Sequence, residues 1–321
     1  MKAKVLPYLI FFLASLGFAY YASGPDEEKK RPSEEWTSIP KDSLDSIHYE
    51  YEGVVADVKR ADGYKAYWVD FKKVKEGPNG SKEESGHFLA GDRMKEVIDL
   101  LASVQVEKVI GASKDVKVEE FGLDKPSGKF EVKYAKDKAF VLAIGKRSFQ
   151  SQGVFVLDEG KQTVLMVNRK LFSAFERPKT RLALDQPFLF NPDDVTGVLL
   201  AAGDSRGEFV RQNKGASKVW FARKKTDAPH ESFRNWLEKF MRVKVDTYPE
   251  EAQAAAIEQL PKKFSLQLSG DKGELDVLTL FEDQTVNPAR YWIRSKSLPV
   301  PVGVDAAAVS VLVADLPNIL K

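Results

Sequence analysis

One order of segments occurs twice along this chain, and that doubling restricts its possible folds more than any other feature. In the first pass Asp45–Glu52 and Val54–Arg60 alternate apolar with polar residues, the pattern of half-buried strands, and Tyr64–Phe71 reads as a third strand. Lys72–Asp92, rich in Lys, Glu, Gly and Ser, reads as a long exposed loop. Arg93–Val106 follows as a helix, with Met94, Val97, Ile98, Leu101 and Val104 on one face and Asp92 as its N-cap. Strands are then expected at 129–134, 139–144, 153–157 and 163–167, closed by a helix over Arg169–Phe175.

The second pass repeats this order. Asp194–Leu200 and Phe209–Gln212 match the first two strands, and Trp220 answers Trp68 at an offset of 152. The helix Phe233–Met241 answers Met94–Leu101, while Phe264–Leu268 answers Phe130–Tyr134 at an offset of 134 and Pro261 answers Pro126 at 135. The last strands, 274–281 and 290–293, answer 139–144 and 154–157, and Ala306–Leu312 repeats the closing helix. The expected fold is therefore α+β: two tandem β-rich repeats, 36–185 and 186–321, each a mixed or antiparallel sheet with one or two covering helices.

Ahead of the repeats stands a different kind of segment. After Met1-Lys2-Ala3-Lys4 the chain runs uncharged from Val5 to Ala22, 18 residues. As a helix this spans about 27 Å, close to the ~30 Å of a bilayer's hydrocarbon core. Lys2 and Lys4 on one flank and Asp26, Glu27 and Glu28 on the other place the N-terminus in the cytoplasm and the remainder outside it. Cleavage as a secretory signal is disfavoured, because a cut after Gly24 would leave Pro25 first, and cuts after Ala22 or Ser23 put a tyrosine where a small residue is needed. Residues 1–23 thus read as a single-pass inner-membrane signal anchor with the bulk periplasmic or otherwise extracytoplasmic. Residues 24–35, with eight charged side chains and two prolines, read as a tether.

The anchor, the opening strands ending at Trp68, the helix, Phe121-Gly-Leu-Asp-Lys-Pro126, the Ile144-Gly145-Lys146 turn and Gly153-Val-Phe-Val156 together resemble the DUF4340 family of bacterial envelope proteins. The resemblance runs over about residues 44–312. It implies association with a transport machine, since genes of this family commonly lie beside an ABC transporter ATPase, its permease and a gliding-motility auxiliary protein, and it implies no known enzymatic activity. The loop at Lys72–Asp92 and Phe155, where tyrosine is commoner, depart from the family pattern. Physically, Gly122 suits a positive φ, Asp124 a turn hydrogen bond, Pro126 an extended approach to the next strand, and Gly145 a tight hairpin turn. All four read as structural.

Catalytic signatures do not emerge. The chain lacks H-E-x-x-H, Walker-type and dinucleotide-binding motifs, and with 49 basic against 47 acidic residues it has no bulk charge for nucleic acid. It has no cysteine, and His48, His87 and His230 match no metal-ligand spacing, so neither metal nor cofactor is expected. Ser269-Gly-Asp-Lys272 fits S-x-x-K, but within a Gly-containing hairpin. Remaining candidates are Ala14 and Gly17, small residues that would let the anchor pack on another helix, and the aromatics Tyr67, Trp68, Tyr291 and Trp292, adjacent pairs of which one member should face outward. The expected function is a non-catalytic auxiliary subunit binding an ABC transporter permease or another anchored envelope protein. The alternative is an exported carbohydrate- or peptidoglycan-binding protein that uses those aromatics.

Overall fold

The structure, a computed structural model, describes residues 34–77, 80–148, 153–214, 217–225, 227–249 and 251–321. The expected anchor and most of the tether lie outside these residues; among those described, no helix is long and apolar enough to cross a membrane.

The first body is a ten-stranded sheet built from β1 (Glu34–Thr37), β2 (Leu44–Tyr51), β3 (Val54–Arg60), β4 (Tyr67–Gly77), β5 (Gly80–Leu89), β6 (Val104–Ala112), β7 (Gly128–Tyr134), β8 (Lys138–Arg147), β9 (Gly153–Asp158) and β10 (Thr163–Asn168). Its spatial order is β1-β6-β10-β9-β8-β7-β2-β3-β4-β5. Helix α1 (Arg93–Ala102) lies between β5 and β6, and the short α2 (Pro178–Arg181) follows the sheet. The second body carries β11 (Gly197–Ala202), β12 (Ser205–Lys214), β13 (Ser217–Ala222), α3 (Glu231–Phe240), β14 (Val245–Thr247), α4 (Glu251–Ile257), β15 (Lys262–Gly270), β16 (Gly273–Asp283), β17 (Arg290–Ser295), β18 (Val302–Val304) and α5 (Ala306–Ile319). Its eight strands run β13-β12-β11-β15-β16-β17-β18-β14.

From β4 to β6, the first sheet runs β4-β3-β2-β7-β8-β9-β10-β6, so every strand of the second sheet has a counterpart at the same place. Both sheets are antiparallel throughout their described pairings, not mixed. The first sheet adds β5 at one edge and β1 at the other.

Each sheet buries one face, as period-two alternation requires. In β2, Ile47, Tyr49 and Tyr51 point inward while His48 and Glu50 point out. The first core gathers Met94, Val97 and Leu101 of α1, with Phe172 and Phe175 against Tyr49 and Phe130. The second gathers Phe233, Trp236 and Phe240 of α3, with Trp236 and Phe240 edge-on to Phe264 and the Trp236 Nε1–H donating to the Leu312 carbonyl of α5 at 2.9 Å. A third cluster, with Leu89, Leu184, Leu298 and Val302 at its centre, joins the bodies.

Four sequence expectations change. Lys72–Asp92 is not a loop: β4 and β5 form a hairpin from Trp68↔Leu89 to Gly77↔Gly80, whose charged alternation suits strands with one solvated face. The first helix ends at Ala102, and Val104 and Val106 belong to β6, buried from a strand instead of a helix turn. Arg169–Phe175 is a single 3-10 turn over Arg169–Leu171 followed by further turns, yet it still delivers Phe172 and Phe175 to the core. Lastly, Trp68 and Trp220 face opposite ways. Trp220 points into its core, whereas in the first sheet Tyr67 and Val69 do so and Trp68 points out, onto His87 (4.5 Å between ring centroids) and Tyr248.

Beyond the core face, the segments linking β6 to β7 and β14 to β15 fold over the outer face of equivalent strands. In the second body α4 lays Ile257, with Leu260 just after it, onto Phe281 and Trp292. In the first, the turn at 118–123 sets Phe121 against Phe155, 4.9 Å between ring centroids. At the sheet's opposite edge the short β1 is clasped by Trp36, whose Nε1–H donates to Asp158 Oδ2 at 2.6 Å while the Lys161 ammonium sits 3.9 Å over the indole.

Candidate functional site

The outer face of β2–β5 is where the first body leaves most polar groups in solvent. Register carries one row across it: Glu131 opposite His48, His48 opposite Asp57, Asp57 opposite Asp70, and Asp70 opposite His87. The ring Nδ1–H of His48 donates to Asp57 at 2.7 Å, and that of His87 to Asp70 at 2.6 Å. Glu131 pairs with Lys129 at 2.7 Å and Lys133 at 3.4 Å, and the Lys129 hydrogen bond holds its carboxyl below the usual range. Two aspartates directly opposite on neighbouring strands cost the sheet about 0.2–1 kcal/mol. A shallow groove of about 550 Å³ runs beside them, along Val55, Lys72, Ser85 and His87.

A second concavity, about 420 Å³, opens between the two bodies, with Met94, Ile98, Phe190 and Leu275 as its floor and Lys65 and Lys296 at its rim. Its second-body wall is rigidly held. The Asp276 carboxylate, 1% exposed, accepts hydroxyls from Ser295 and Ser297 at 2.6 Å each and N–H groups from Val277 and Lys296 at 2.7 and 3.0 Å. Behind the lining, Arg294 pairs with Glu258 at 2.8 Å and donates to the hydroxyl of Tyr64 at 3.2 Å.

The residues singled out from sequence fall elsewhere. Gly122 has the left-handed conformation expected of it, φ 67°, and packs under the Lys146 side chain. Pro126 is exposed in the turn and Asp124 is exposed without a hydrogen bond among the described residues, so the turn is closed by the backbone pairs Gly122 N–H to Glu119 O and Leu123 N–H to Val118 O. Gly145 is no turn residue: it lies within β8, beside a register shift, where a Cβ would come 2.3 Å from the Phe121 carbonyl. The aromatic surface is not formed. Tyr67, Tyr291 and Trp292 are at most 8% exposed and Trp68 is half-buried in the cluster between the bodies, because neighbouring segments cover both faces of these strands. Ala14 and Gly17 lie outside the described residues.

His230 caps α3, accepting the Phe233 N–H at 3.2 Å, and Ser269–Lys272 forms the β15–β16 hairpin. Among the described residues no group of three or more His, Asp or Glu is placed to hold a metal. Sequence reasoning misses the aspartate–histidine row because it takes each histidine singly and sets His87 in a loop. Recognising the 67–89 alternation as a hairpin aligns Asp70 with His87.

Comparison with known families gives a match: the family model described as "Domain of unknown function (DUF4340)" covers residues 85–263, more than half of the chain and segments of both bodies. No curated protein and no solved structure matches the chain.

Proposed function

The chain belongs to the DUF4340 family, and from that premise we propose that it is a non-catalytic, membrane-anchored subunit of an ABC-type transport complex, its bulk outside the cytoplasm, acting by binding an envelope protein partner. The observation that carries this reading is the open outer face of β2–β5, where Asp57 and Asp70 stand in direct register with exposed histidines as their hydrogen-bond partners. Solvent-exposed pairs of this kind contribute little to stability. A destabilising acidic row on an uncovered sheet face makes sense as a docking surface for a basic partner segment, where charge complementarity sets specificity and association rate. The apolar run at residues 5–22 supports the anchor, with Ala14 and Gly17 as the face that packs on a permease helix. The glycan-binding alternative needs exposed rings, and Tyr67, Tyr291 and Trp292 are buried.

The test is recovery of an ABC-type permease with the full chain in mild detergent. Asp57→Lys with Asp70→Lys should cut recovery about tenfold, roughly 1.4 kcal/mol, while Asp70→Asn alone should weaken recovery and raise the melting temperature slightly. Ala14→Leu with Gly17→Leu should reduce recovery while leaving insertion intact. Undiminished recovery by both double variants would overturn the reading.

A further inference from the structure

The cleft between the bodies shares no lining residue with the acidic row, and its chemistry is the reverse. Its floor is apolar, with Met94 buried and Ile98, Phe190 and Leu275 half-buried, while the charged side chains that line it are all lysines. Lys95 is committed to structure, bridging Asp92 at 2.8 Å and the Leu189 carbonyl at 2.9 Å. Lys296 leans on Glu274 at 2.8 Å, which raises its pKa and keeps it charged. Lys65 stands exposed at the opposite lip with no ion-pair partner among the described residues.

We infer that this cleft binds a small amphipathic anion, its apolar body on the Met94–Ile98–Phe190–Leu275 floor and a single carboxylate, phosphate or sulfonate between Lys65 and Lys296. Three features converge on that class. The volume, about 420 Å³, falls within the range of small-molecule sites. The floor draws residues from both bodies, so a ligand there is enclosed by surfaces that neither body supplies alone. The rim is preorganised on one side, because the buried Asp276 carboxylate, satisfied by four donors, fixes residues 295–297 and with them the backbone that carries Lys296. Two cations at the rim with no acidic lining residue favour an anionic head over a neutral or cationic one. The inference is independent of the partner-binding reading, since either surface works without the other.

The experiment uses the full chain in nanodiscs of zwitterionic lipid, titrated calorimetrically with 8-anilinonaphthalene-1-sulfonate and, separately, with its uncharged relative N-phenyl-1-naphthylamine, empty discs being subtracted. The sulfonate should bind at one saturable site. Lys65→Gln with Lys296→Gln should weaken it about tenfold and leave the uncharged ring compound within about twofold, whereas Leu275→Trp, which fills the floor, should weaken both. Far-UV circular dichroism and melting confirm that each variant is folded; should the glutamine pair not fold, Lys65→Gln alone, on an exposed residue, carries the same comparison. Absence of a saturable sulfonate site in the wild-type chain, equal sulfonate affinity in the folded lysine variant, or displacement by inorganic phosphate at concentrations as low as the sulfonate's own would each overturn the proposal.

Discussion

The two bodies share an order of eight strands and differ in what covers them. Over its core face the second sheet carries two regular helices, α3 and α5, joined by the Trp236–Leu312 hydrogen bond. The first carries α1 and, in place of a second helix, irregular turns that deliver Phe172 and Phe175. On the outer face the same contrast recurs at the same place: the helix α4 shields Trp292, and the 118–123 turn shields Phe155 at the matching strand. Strand order is tied to the alternation of a whole sheet and resists change, whereas a cover needs only to bring apolar side chains to a fixed spot. Helix, 3-10 turn and loop all meet that demand.

The largest expected effect sets these covers against each other. Trp236→Ala removes a large buried ring of the second core together with its hydrogen bond to the Leu312 carbonyl, and should cost about 4–5 kcal/mol; Phe172→Ala should cost about 3, because an irregular segment settles into the vacated space more readily than a helix does. Urea denaturation of the full chain reads both. Equal losses would mean that the turn is as rigid as the helix it replaces.

Next in size is Gly145→Ala. Its methyl would meet a backbone oxygen, which cannot swing aside as a side chain would, and the turn at 118–123 would lift from β8 at a cost of about 2 kcal/mol. Rising solvent exposure of Phe121 and Phe155, with the second body unaffected, would mark the loss as confined to the first cover. No change in the melting temperature would show that this turn is loosely held.

The smallest concerns a pair that only the second sheet has. Where Val154 stands in the first body, Tyr291 stands in the second, donating to the buried Glu282 carboxylate at 2.8 Å. Burial first, then the Glu282 hydrogen bond, raises the Tyr291 hydroxyl to about 12. Desolvation alone would lift Glu282, but hydrogen bonds from Tyr291, Lys263 and Gln284 outweigh it and hold the acid below its usual range. A raised tyrosine contributes stability that is complete below about pH 10 and is lost as pH climbs toward 12; a lowered acid contributes above about pH 4.3 and is lost on acidification below that. Tyr291→Phe should therefore cost about 1.5 kcal/mol at pH 7, and the gap between variant and wild type should narrow both below about pH 4.3 and above about pH 10. A gap flat with pH would show that the hydrogen bond is not what the tyrosine supplies.

Much of this fold is legible in the sequence because alternation is a local signal. β3 is expected at Val54–Arg60 and occupies those residues, and Pro126 and Pro261 each precede a corresponding strand. What escapes is whatever depends on a partner. Trp68 and Trp220 align well as letters, but a shift of one residue inverts a strand's faces, and only their neighbours, Val69 with Val58 in one sheet and Trp220 with Phe209's face in the other, reveal the slip. One of Tyr291 and Trp292 is expected to face outward because nothing in their own strand announces α4, which covers Trp292; a covering helix is invisible from the strand that it covers. The candidate surfaces are hidden for the same reason: the acidic row exists only in register, and the cleft only where segments some 200 residues apart meet.

The Trp36 clasp has a mechanical consequence. β1 is four residues long, with three register pairs to β6, and it stands at the edge where the described chain begins. Tension applied between residue 34 and the far edge of the sheet would load this strand before any other. Main-chain hydrogen bonds at an edge open in succession, like a seam, and so short a ladder would offer little resistance. Trp36 alters the order of failure: the Asp158 bond, the Lys161 ammonium on the indole and the Lys161 bond to the Trp36 carbonyl must give way together, so the strand yields as a buckle does, holding until all its catches release at once.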